Sequence, residues 1–272
     1  MSDAPALIPD SASTTGRCVV VTRPQPQADA WLVRLQAEGV GAIALPLLHI
    51  VPDPALTPAL RRTWHTLDQQ AMVMFVSPNA VQAFFAHRPQ ALAWPAGVLA
   101  GATGPGTVAA LQAAGVTATA IVAPRADSDR FDAETLWTQV LAARHWAGVP
   151  VLIVRGESGR DWLADTLRGA GAEVQFQAAY RLCPPRWEAD ARACLDQVLA
   201  APARHAWLFS SSQAVRYLVE YLERDAAALA AAQVVTALAT HPRIAETVRA
   251  AGWPRVIAVQ PDPAVVARAV SQ

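Results

Sequence analysis

A long internal repeat limits this chain to a small number of architectures. The segment AEGVGAIALPLLHIVP aligns with GAGAEVQFQAAYRLCP at a constant offset of 132 in the numbering, and VVVTR aligns with VLIVR at the same offset. Further along, FVSPNAV matches FSSSQAV at an offset of 134, and TVAALQAAGV matches IAETVRAAGW at 137. A period of this length indicates duplication of a whole domain rather than a solenoid of short repeats.

Both copies alternate strand-like and helix-like segments, which predicts an α/β fold with parallel sheets and crossover helices. The segments between strands, such as ADAWLVRLQAEG and AETLWTQVLAA, carry apolar residues at helical spacing. With 272 residues the chain has room for two such domains. The predicted strands are CVVVTR, AMVMFVS, GVLAGAT, TATAIV, VPVLIVR, AEVQFQ, HAWLFS, QVVTAL and RVIAVQ.

Composition excludes several classes of function. All 22 basic residues are arginine, so a Schiff-base mechanism through lysine is excluded, and the net charge of zero argues against a nucleic-acid partner. No apolar run reaches transmembrane length without glycine, proline or charge, so no membrane partner is expected. Residues 1–16 lack a cationic start and a long apolar core, which predicts a disordered lead rather than a signal peptide. The chain is expected to be a cytoplasmic enzyme or binding protein.

Metal chemistry has no support in the sequence. Cys18, Cys183 and Cys194 lack metal-ligand spacing and are predicted to be buried free thiols. The histidines are scattered without a pair at ligand spacing, so no metal site is predicted. The segment ATGPGT resembles a glycine-rich loop, but it lacks the spacing and the lysine of a P-loop.

Polar residues recur where predicted strands end and helices begin. In open parallel sheets this edge binds ligands, because helix N-termini present free N–H groups there. The competing interpretation is that each Ser, Thr or Asn simply caps a helix. Capping does not explain Arg23 and Arg155, which end equivalent strands of the two copies. The candidate binding residues are Thr22, Arg23, Ser77, Asn79, Thr103, Thr107, Arg155, Gly156, Ser210, Ser211 and Thr240.

In order and spacing, these motifs resemble the uroporphyrinogen-III synthase family from about Arg17 to the C-terminus. The resemblance is carried by VVVTRPQPQADAWLVRLQAEG, PLLHIVP, FVSPNAVQAF, GATGPGTVAALQAAG, VLIVRGESGRDWLADTLRGAGAEVQFQAAYR, FSSSQAVRYL and RIAETVRAAGW. It implies two similar flavodoxin-like domains, joined by a two-stranded β-ladder linker, with the active site in the cleft between them. The implied domains are residues 17–47 with 184–272, and residues 50–180; the linkers lie at about 46–52 and 178–186.

The family converts the linear tetrapyrrole hydroxymethylbilane into uroporphyrinogen III without a cofactor. Water is lost to leave an azafulvene, ring D attacks through its substituted carbon to give a spiro intermediate, and that intermediate breaks and recloses with ring D inverted. Because such pyrroles cyclise unaided, control of conformation is the main demand. The eight carboxylates of the substrate would be held by helix N-termini, main-chain N–H groups and strand-end hydroxyls.

By motif position, Tyr180 in AAYR corresponds to the tyrosine that assists departure of the hydroxyl; its alternative role is packing within the connector. Thr107 matches the threonine of the family's GPxT segment. The second copy of that segment reads ATHPRIA, with Ile244 in place of a hydroxyl and His241 in place of glycine, so a hydroxyl role at position 244 is in doubt.

The resemblance implies a monomeric enzyme of heme biosynthesis that contacts the preceding deaminase at most transiently. The alternative left open is a two-domain α/β protein that binds an anionic small molecule without chemistry.

Overall fold

The computed structural model describes residues 17–157 and 161–271. The predicted lead at residues 1–16 lies outside them. The strands are Cys18–Val21 (β1), Ala42–Ala44 (β2), His49–Val51 (β3), Met72–Phe75 (β4), Leu99–Ala102 (β5), Ile121–Val122 (β6), Pro150–Gly156 (β7), Glu173–Cys183 (β8), His205–Phe209 (β9), Thr236–Ala239 (β10) and Val256–Ala258 (β11). The α-helices are Gln27–Ala37 (α1), Thr57–His65 (α2), Pro78–Phe85 (α3), Pro105–Ala113 (α4), Ala133–Leu136 (α5), Trp162–Gly169 (α6), Ala189–Ala200 (α7), Ser212–Leu222 (α8), Ala226–Val234 (α9), Pro242–Ala250 (α10) and Pro263–Val270 (α11).

The chain divides into two compact units. The first consists of Met1–His49 and Cys183–Gln272, and the second is the continuous segment Ile50–Leu182. A five-stranded sheet in the order β11-β10-β9-β1-β2 forms the first unit, and its neighbouring strands are parallel. A six-stranded sheet in the order β3-β8-β7-β4-β5-β6 forms the second, and its strands from β8 to β6 are parallel.

The strand registers confirm the internal repeat. Val19 pairs with Ala42 in β2, and their counterparts in the second copy, Val151 and Val174, pair with each other across β7 and β8. Both counterparts lie at the offset of 132 that the sequence repeat gives. The same comparison of β9 with β4 gives the offset of 134, and that of β10 with β5 gives 137. Duplicated segments therefore occupy the same positions in the two sheets.

Both faces of the second sheet are covered, as expected for parallel strands joined by helices. Alternate residues of β4 point to opposite faces: Val73 and Phe75 pack into one buried cluster, and Met72 and Met74 pack into the other. In the first unit, alternate residues of the central strand β1 pack with β9 and β10 in the same way. This packing fixes the backbone from which the loops at the carboxyl edges begin.

Two predicted elements differ from the structure. The first half of TATAIV was predicted as strand, but Ala118–Ala120 forms a 3₁₀ helix and only Ile121–Val122 forms β6. Alanine is a poor strand former and a good helix former, which accounts for the difference. The second half of the predicted helix AETLWTQVLAA, Trp137–Leu141, is wound as a π-helix. In the part of the chain that the structure describes, no helix is both long and apolar enough to cross a membrane.

Candidate functional site

The second unit places its polar loops at one edge of its sheet. Parallel strands β8, β7, β4 and β5 are consecutive neighbours, so their carboxyl ends lie at the same edge. In a doubly wound sheet the ligand crevice opens where the chain connections diverge to opposite sides, which here is between β7 and β4. The residues at this point are Gly156, at the end of β7, and Ser77, which follows β4.

Tyr180 is buried beside these two residues. Its side chain is 6% exposed, and its hydroxyl lies 3.4 Å from Ser77 Oγ. Burial raises the pKa of the phenol above its ordinary value of 10, although hydrogen bonds from the Ser77 hydroxyl and the Gly156 backbone oppose the increase. Tyr180 therefore holds its proton at neutral pH and can donate it.

Gly156 allows the phenol ring to lie against the backbone of β7. A Cβ atom at this position would stand 3.0 Å from Tyr180 Cε2 and 3.4 Å from Cζ, so a larger residue would displace the ring. The register of β7 against β8 shifts between Arg155 and Gly156, which brings Gly156 opposite Tyr180. The sequence predicted Gly156 and Tyr180 as separate site residues, and the structure brings them together.

Ser77 is also the N-cap of α3, because its Oγ accepts a hydrogen bond from the Ala80 N–H at 3.2 Å. Asn79, in the first turn of the same helix, is half-buried. On the neighbouring strand, the Thr103 hydroxyl donates to the Val76 carbonyl at 3.4 Å, and Thr107 is buried in the first turn of α4. Ser77, Asn79, Thr103 and Thr107 thus all follow β4 or β5 at the carboxyl edge.

Arg155 is already engaged within the second unit. Its guanidinium forms an ion pair with Asp161 at 2.5 Å and stacks over the Phe176 ring at 3.8 Å from the centroid. Asp161 therefore neutralises much of the positive charge of Arg155, which the sequence predicted as an anion-binding residue. Neither partner was identified from the sequence, because Phe176 comes from the adjacent strand β8 and no local pattern links it to Arg155.

In the first unit the equivalent edge is formed by the loops after β1, β9 and β10. Thr22 is fully buried, and its hydroxyl donates to the Leu208 carbonyl at 2.7 Å. This hydrogen bond links the residue that follows β1 to strand β9. Ser211 is the N-cap of α8 and accepts from the Gln213 and Ala214 N–H groups. Ser210 lies half-buried beside it.

Arg23 is the most distinctive group of this edge. Its Nε is buried without a hydrogen-bond partner among the described residues, and its guanidinium lies 5.0 Å from the Trp31 ring centroid. Burial, and to a lesser degree the positive charge of Arg34, lowers the pKa of Arg23 to about 10. It still carries its charge at neutral pH, and an anion would provide the missing acceptor.

The ATHPRIA segment begins a helix as its counterpart ATGPGT does, although several residues differ. His241 is the N-cap of α10, since its Nδ1 accepts from the Arg243 N–H at 3.2 Å. Pro242 begins α10 as Pro105 begins α4. Ile244, at the position of Thr107, is a buried core residue, so no hydroxyl acts there, while Thr240 is half-buried after β10.

The cysteines differ from their predicted burial. All three are free thiols, but each is half-buried rather than fully buried. Desolvation is the main cause that raises the pKa of Cys18 to about 11, and it also raises the pKa of Cys194. Within residues 17–157 and 161–271, no group of three or more His, Cys, Asp and Glu side chains could hold a metal ion.

The fold matches solved structures along most of its length. A mutant uroporphyrinogen III synthase from Thermus thermophilus gives a TM-score of 0.60 at 17% identity, covering 93% of this chain and 96% of that one. A uroporphyrinogen-III synthetase from Helicobacter pylori gives 0.51 at 14% identity, covering 92% and 95%. At these identities the likeness shows the fold alone.

Sequence comparison extends this likeness to the family. The uroporphyrinogen-III synthase of Salmonella typhimurium is 34% identical over 173 residues, which are 62% of this chain and 67% of the relative. That of Escherichia coli K12 is 33% identical over 168 residues, which are 61% and 65% of the two chains. A family model described as uroporphyrinogen-III synthase HemD matches residues 29–266. Because this match spans most of the chain, the protein belongs to the uroporphyrinogen-III synthase family.

Proposed function

We infer that this chain is a uroporphyrinogen-III synthase, a carbon–oxygen lyase that cyclises hydroxymethylbilane to uroporphyrinogen III with loss of water and inversion of ring D. The observation that carries this inference is the family match along residues 29–266. Family membership favours the enzyme over the binding protein without chemistry, which is therefore not proposed.

Tyr180 is the proposed proton donor to the departing hydroxyl. Support comes from its position at the carboxyl edge beside the loop after β4, and from burial, which keeps the phenol protonated at neutral pH. A phenol is a weak acid, so its expected contribution is roughly 10²- to 10⁴-fold in rate, as for general acids elsewhere. The rest of the acceleration would come from holding the reactive conformation.

The carboxylates of the substrate are proposed to bind at the carboxyl edge of each unit. In the second unit Asn79, Thr103 and Thr107 follow strand ends and supply hydroxyl, amide or main-chain N–H donors, whereas Ser77 and Gly156 lie at the Tyr180 hydroxyl. In the first unit Arg23 is supported best, because its buried Nε lacks an acceptor within residues 17–157 and 161–271.

Two of the remaining candidates already have partners within the protein. Thr22 and Arg155 have internal partners, so we propose that they position backbone rather than contact substrate directly. Ser210, Ser211 and Thr240 stay predicted substrate contacts.

We propose that the two units correspond to two flavodoxin-like domains. The five parallel strands of the first unit follow the 2-1-3-4-5 order of that architecture, as β2-β1-β9-β10-β11. The second unit has the same spatial arrangement, β8-β7-β4-β5-β6, with β7 and β8 in the places of strands 1 and 2 although they come last in its chain. The neighbouring strands β3 and β8, where the chain passes between the units, are proposed as the linker ladder. A monomeric state, a cytoplasmic location, a transient contact with the preceding deaminase and the use of both edges for one substrate molecule stay predictions.

The decisive experiment supplies porphobilinogen and the preceding deaminase, oxidises the products, and separates uroporphyrin isomers. Isomer III should dominate when this protein is present, and isomer I alone would exclude the synthase function. As a test of Tyr180, Tyr180→Phe should lower kcat at least about 100-fold, because the ring and its packing remain while the proton is lost. Unchanged kinetics would remove Tyr180 from the mechanism while leaving the enzyme assignment intact.

A further inference from the structure

We propose that Ser77 and the Gly156 backbone form a receptor for the phenolate of Tyr180, so that Ser77 is a positioning residue for the proton donor and not a substrate contact. This inference rests on the proposed function, since a phenolate arises only if Tyr180 gives up its proton. The observations behind it are the 3.4 Å separation of Ser77 Oγ from the Tyr180 hydroxyl and the close approach of Gly156 to the ring.

The hydrogen-bonding capacity of Ser77 fits this role. A serine hydroxyl has one proton to donate and two lone pairs. The Ala80 N–H, 3.2 Å away, occupies a lone pair, which leaves the proton free to point at the Tyr180 oxygen. The capping bond fixes the serine rotamer, so the proton is already placed when charge develops on the phenol.

The charge environment also offsets part of the cost that burial imposes on a phenolate at this position. Ser77 begins helix α3, and the positive end of a helix dipole stabilises a negative charge placed near its first turn. A backbone hydrogen bond from Gly156 to Tyr180 acts in the same direction. Because Gly156 has no side chain, the Tyr180 ring can lie against its backbone; a Cβ atom there would stand only 3.0 Å from Tyr180 Cε2.

The first unit provides an internal comparison, because it keeps the cap and lacks the acid. Ser211 occupies the position of Ser77 and caps α8 in the same way. At the offset of 132, Leu48 takes the place of the phenol and Pro24 takes the place of Gly156. The serine cap is therefore common to both copies, whereas the glycine occurs only in the copy that has the tyrosine.

The receptor would act during the step in which Tyr180 transfers its proton. The O–H bond of Tyr180 breaks as its proton passes to the departing hydroxyl, the carbon–oxygen bond breaks, and water leaves. The electron pair stays on the phenolate oxygen, where the Ser77 hydroxyl and the Gly156 N–H would hold it. When ring D becomes aromatic again after reclosure it loses a proton, which restores the phenol.

The inference is tested on the free protein, where synthase activity plays no part. The chain has three tyrosines, so ¹³Cζ-tyrosine labelling gives few resonances, and Tyr217→Phe and Tyr221→Phe assign that of Tyr180. The pKa of Tyr180 should rise by about one unit in Ser77→Gly, which removes the hydroxyl but caps a helix nearly as well. Ser77→Thr should restore it. An unchanged pKa in Ser77→Gly would overturn the inference even if the protein makes isomer III.

Kinetics separate positioning from capping. Ser77→Gly should lower kcat about tenfold with KM unchanged, because the lost bond acts on the phenolate alone. Asp225→Ala removes the N-cap of α9, where Asp225 accepts from Ala227 and Ala228, and should leave kcat unchanged. If Ser77→Gly raises KM and leaves kcat unchanged, Ser77 binds substrate and the positioning role is wrong. If the pKa shifts as expected but only isomer I forms, the proposed function fails instead.

Discussion

Arg23 and Arg155 occupy equivalent positions of the repeat, but their surroundings differ. Arg155 is neutralised by Asp161 and stacked on Phe176, whereas Arg23 has a buried Nε with no acceptor among the described residues. An unpaired buried donor lowers stability, and proteins keep such groups where a ligand completes them. Arg23 is therefore the stronger candidate for an anion contact.

The two arginines should respond oppositely to the same substitution. Arg23→Met should raise the free energy of unfolding by about 1 kcal/mol, because it removes a desolvated guanidinium whose Nε has no acceptor among the described residues. It should also lower kcat/KM about 10- to 100-fold, the range for loss of one charged hydrogen bond to substrate. Arg155→Met should lower stability. Urea titrations and steady-state kinetics of both variants check this, and a destabilised Arg23→Met would contradict it.

Cys18 should make stability fall in mildly alkaline solution. Its pKa is about 11 in the folded protein and 9.0 as an ordinary thiol, so the unfolded chain ionises first. The contribution of the Cys18 thiol to the free energy of unfolding is fully present below pH 9 and is lost as pH rises towards 11. About 1 kcal/mol of it should be lost at pH 10. Urea midpoints at pH 8, 9 and 10 should drop less in Cys18→Ala. Equal slopes in the two proteins would exclude this source.

Among the strands and helices, much of the fold could be predicted because the signals are local or repeated. The offsets of 132, 134 and 137 appear in the sequence and return as matching strand registers. The contact between Ser77 and Tyr180 could not be predicted, because 103 residues separate them and a register shift in β7 brings Gly156 opposite the tyrosine. Nor did the sequence indicate that β8 runs without a break from Glu173 to Cys183 and carries Tyr180 within it.

The N-terminus of α10 offers a test of whether this helix end faces substrate carboxylates. His241 caps it through the Nδ1 of its ring, and both Asp and Ser are better caps. His241→Asp should stabilise the protein by about 0.5–1 kcal/mol, since a carboxylate also suits the helix dipole, yet it should raise KM by repelling substrate. His241→Ser should stabilise the protein without raising KM. Thermal melts and kinetics of the pair decide, and an unchanged KM in His241→Asp would place the carboxylates elsewhere.

Across the molecule as a whole, the two units differ in how the chain builds them. Ile50–Leu182 is continuous and contains its own parallel strands β4 to β8 with both faces covered. The other unit needs β1 from the N-terminal segment, because β1 lies between β9 and β2 in the sheet. Removing a central strand breaks two ladders and exposes the core, whereas removing an edge strand breaks one.

Fragments should therefore behave differently. A fragment of residues 50–182 should fold cooperatively and show dispersed amide resonances, because its sheet and core are complete. A fragment of residues 183–272 should not, because β9 loses its neighbour β1. Neither should form isomer III. Circular dichroism and proton–nitrogen correlation spectra of both fragments check this, and a folded 183–272 fragment would show that β1 is dispensable.

The discontinuous unit also imposes an order on biosynthesis. Strand β1 is synthesised before the second unit, but its partner β9 is made only after the whole second unit, as Cys18 pairs with His205. At a synthesis rate of about 5–20 residues per second, on the order of ten seconds pass between the synthesis of β1 and that of β9. The second unit completes its sheet during that interval. Strand β1 is thus made before the second unit and buried after it, so we expect chaperone supply and elongation rate to affect how much of this enzyme a cell recovers folded.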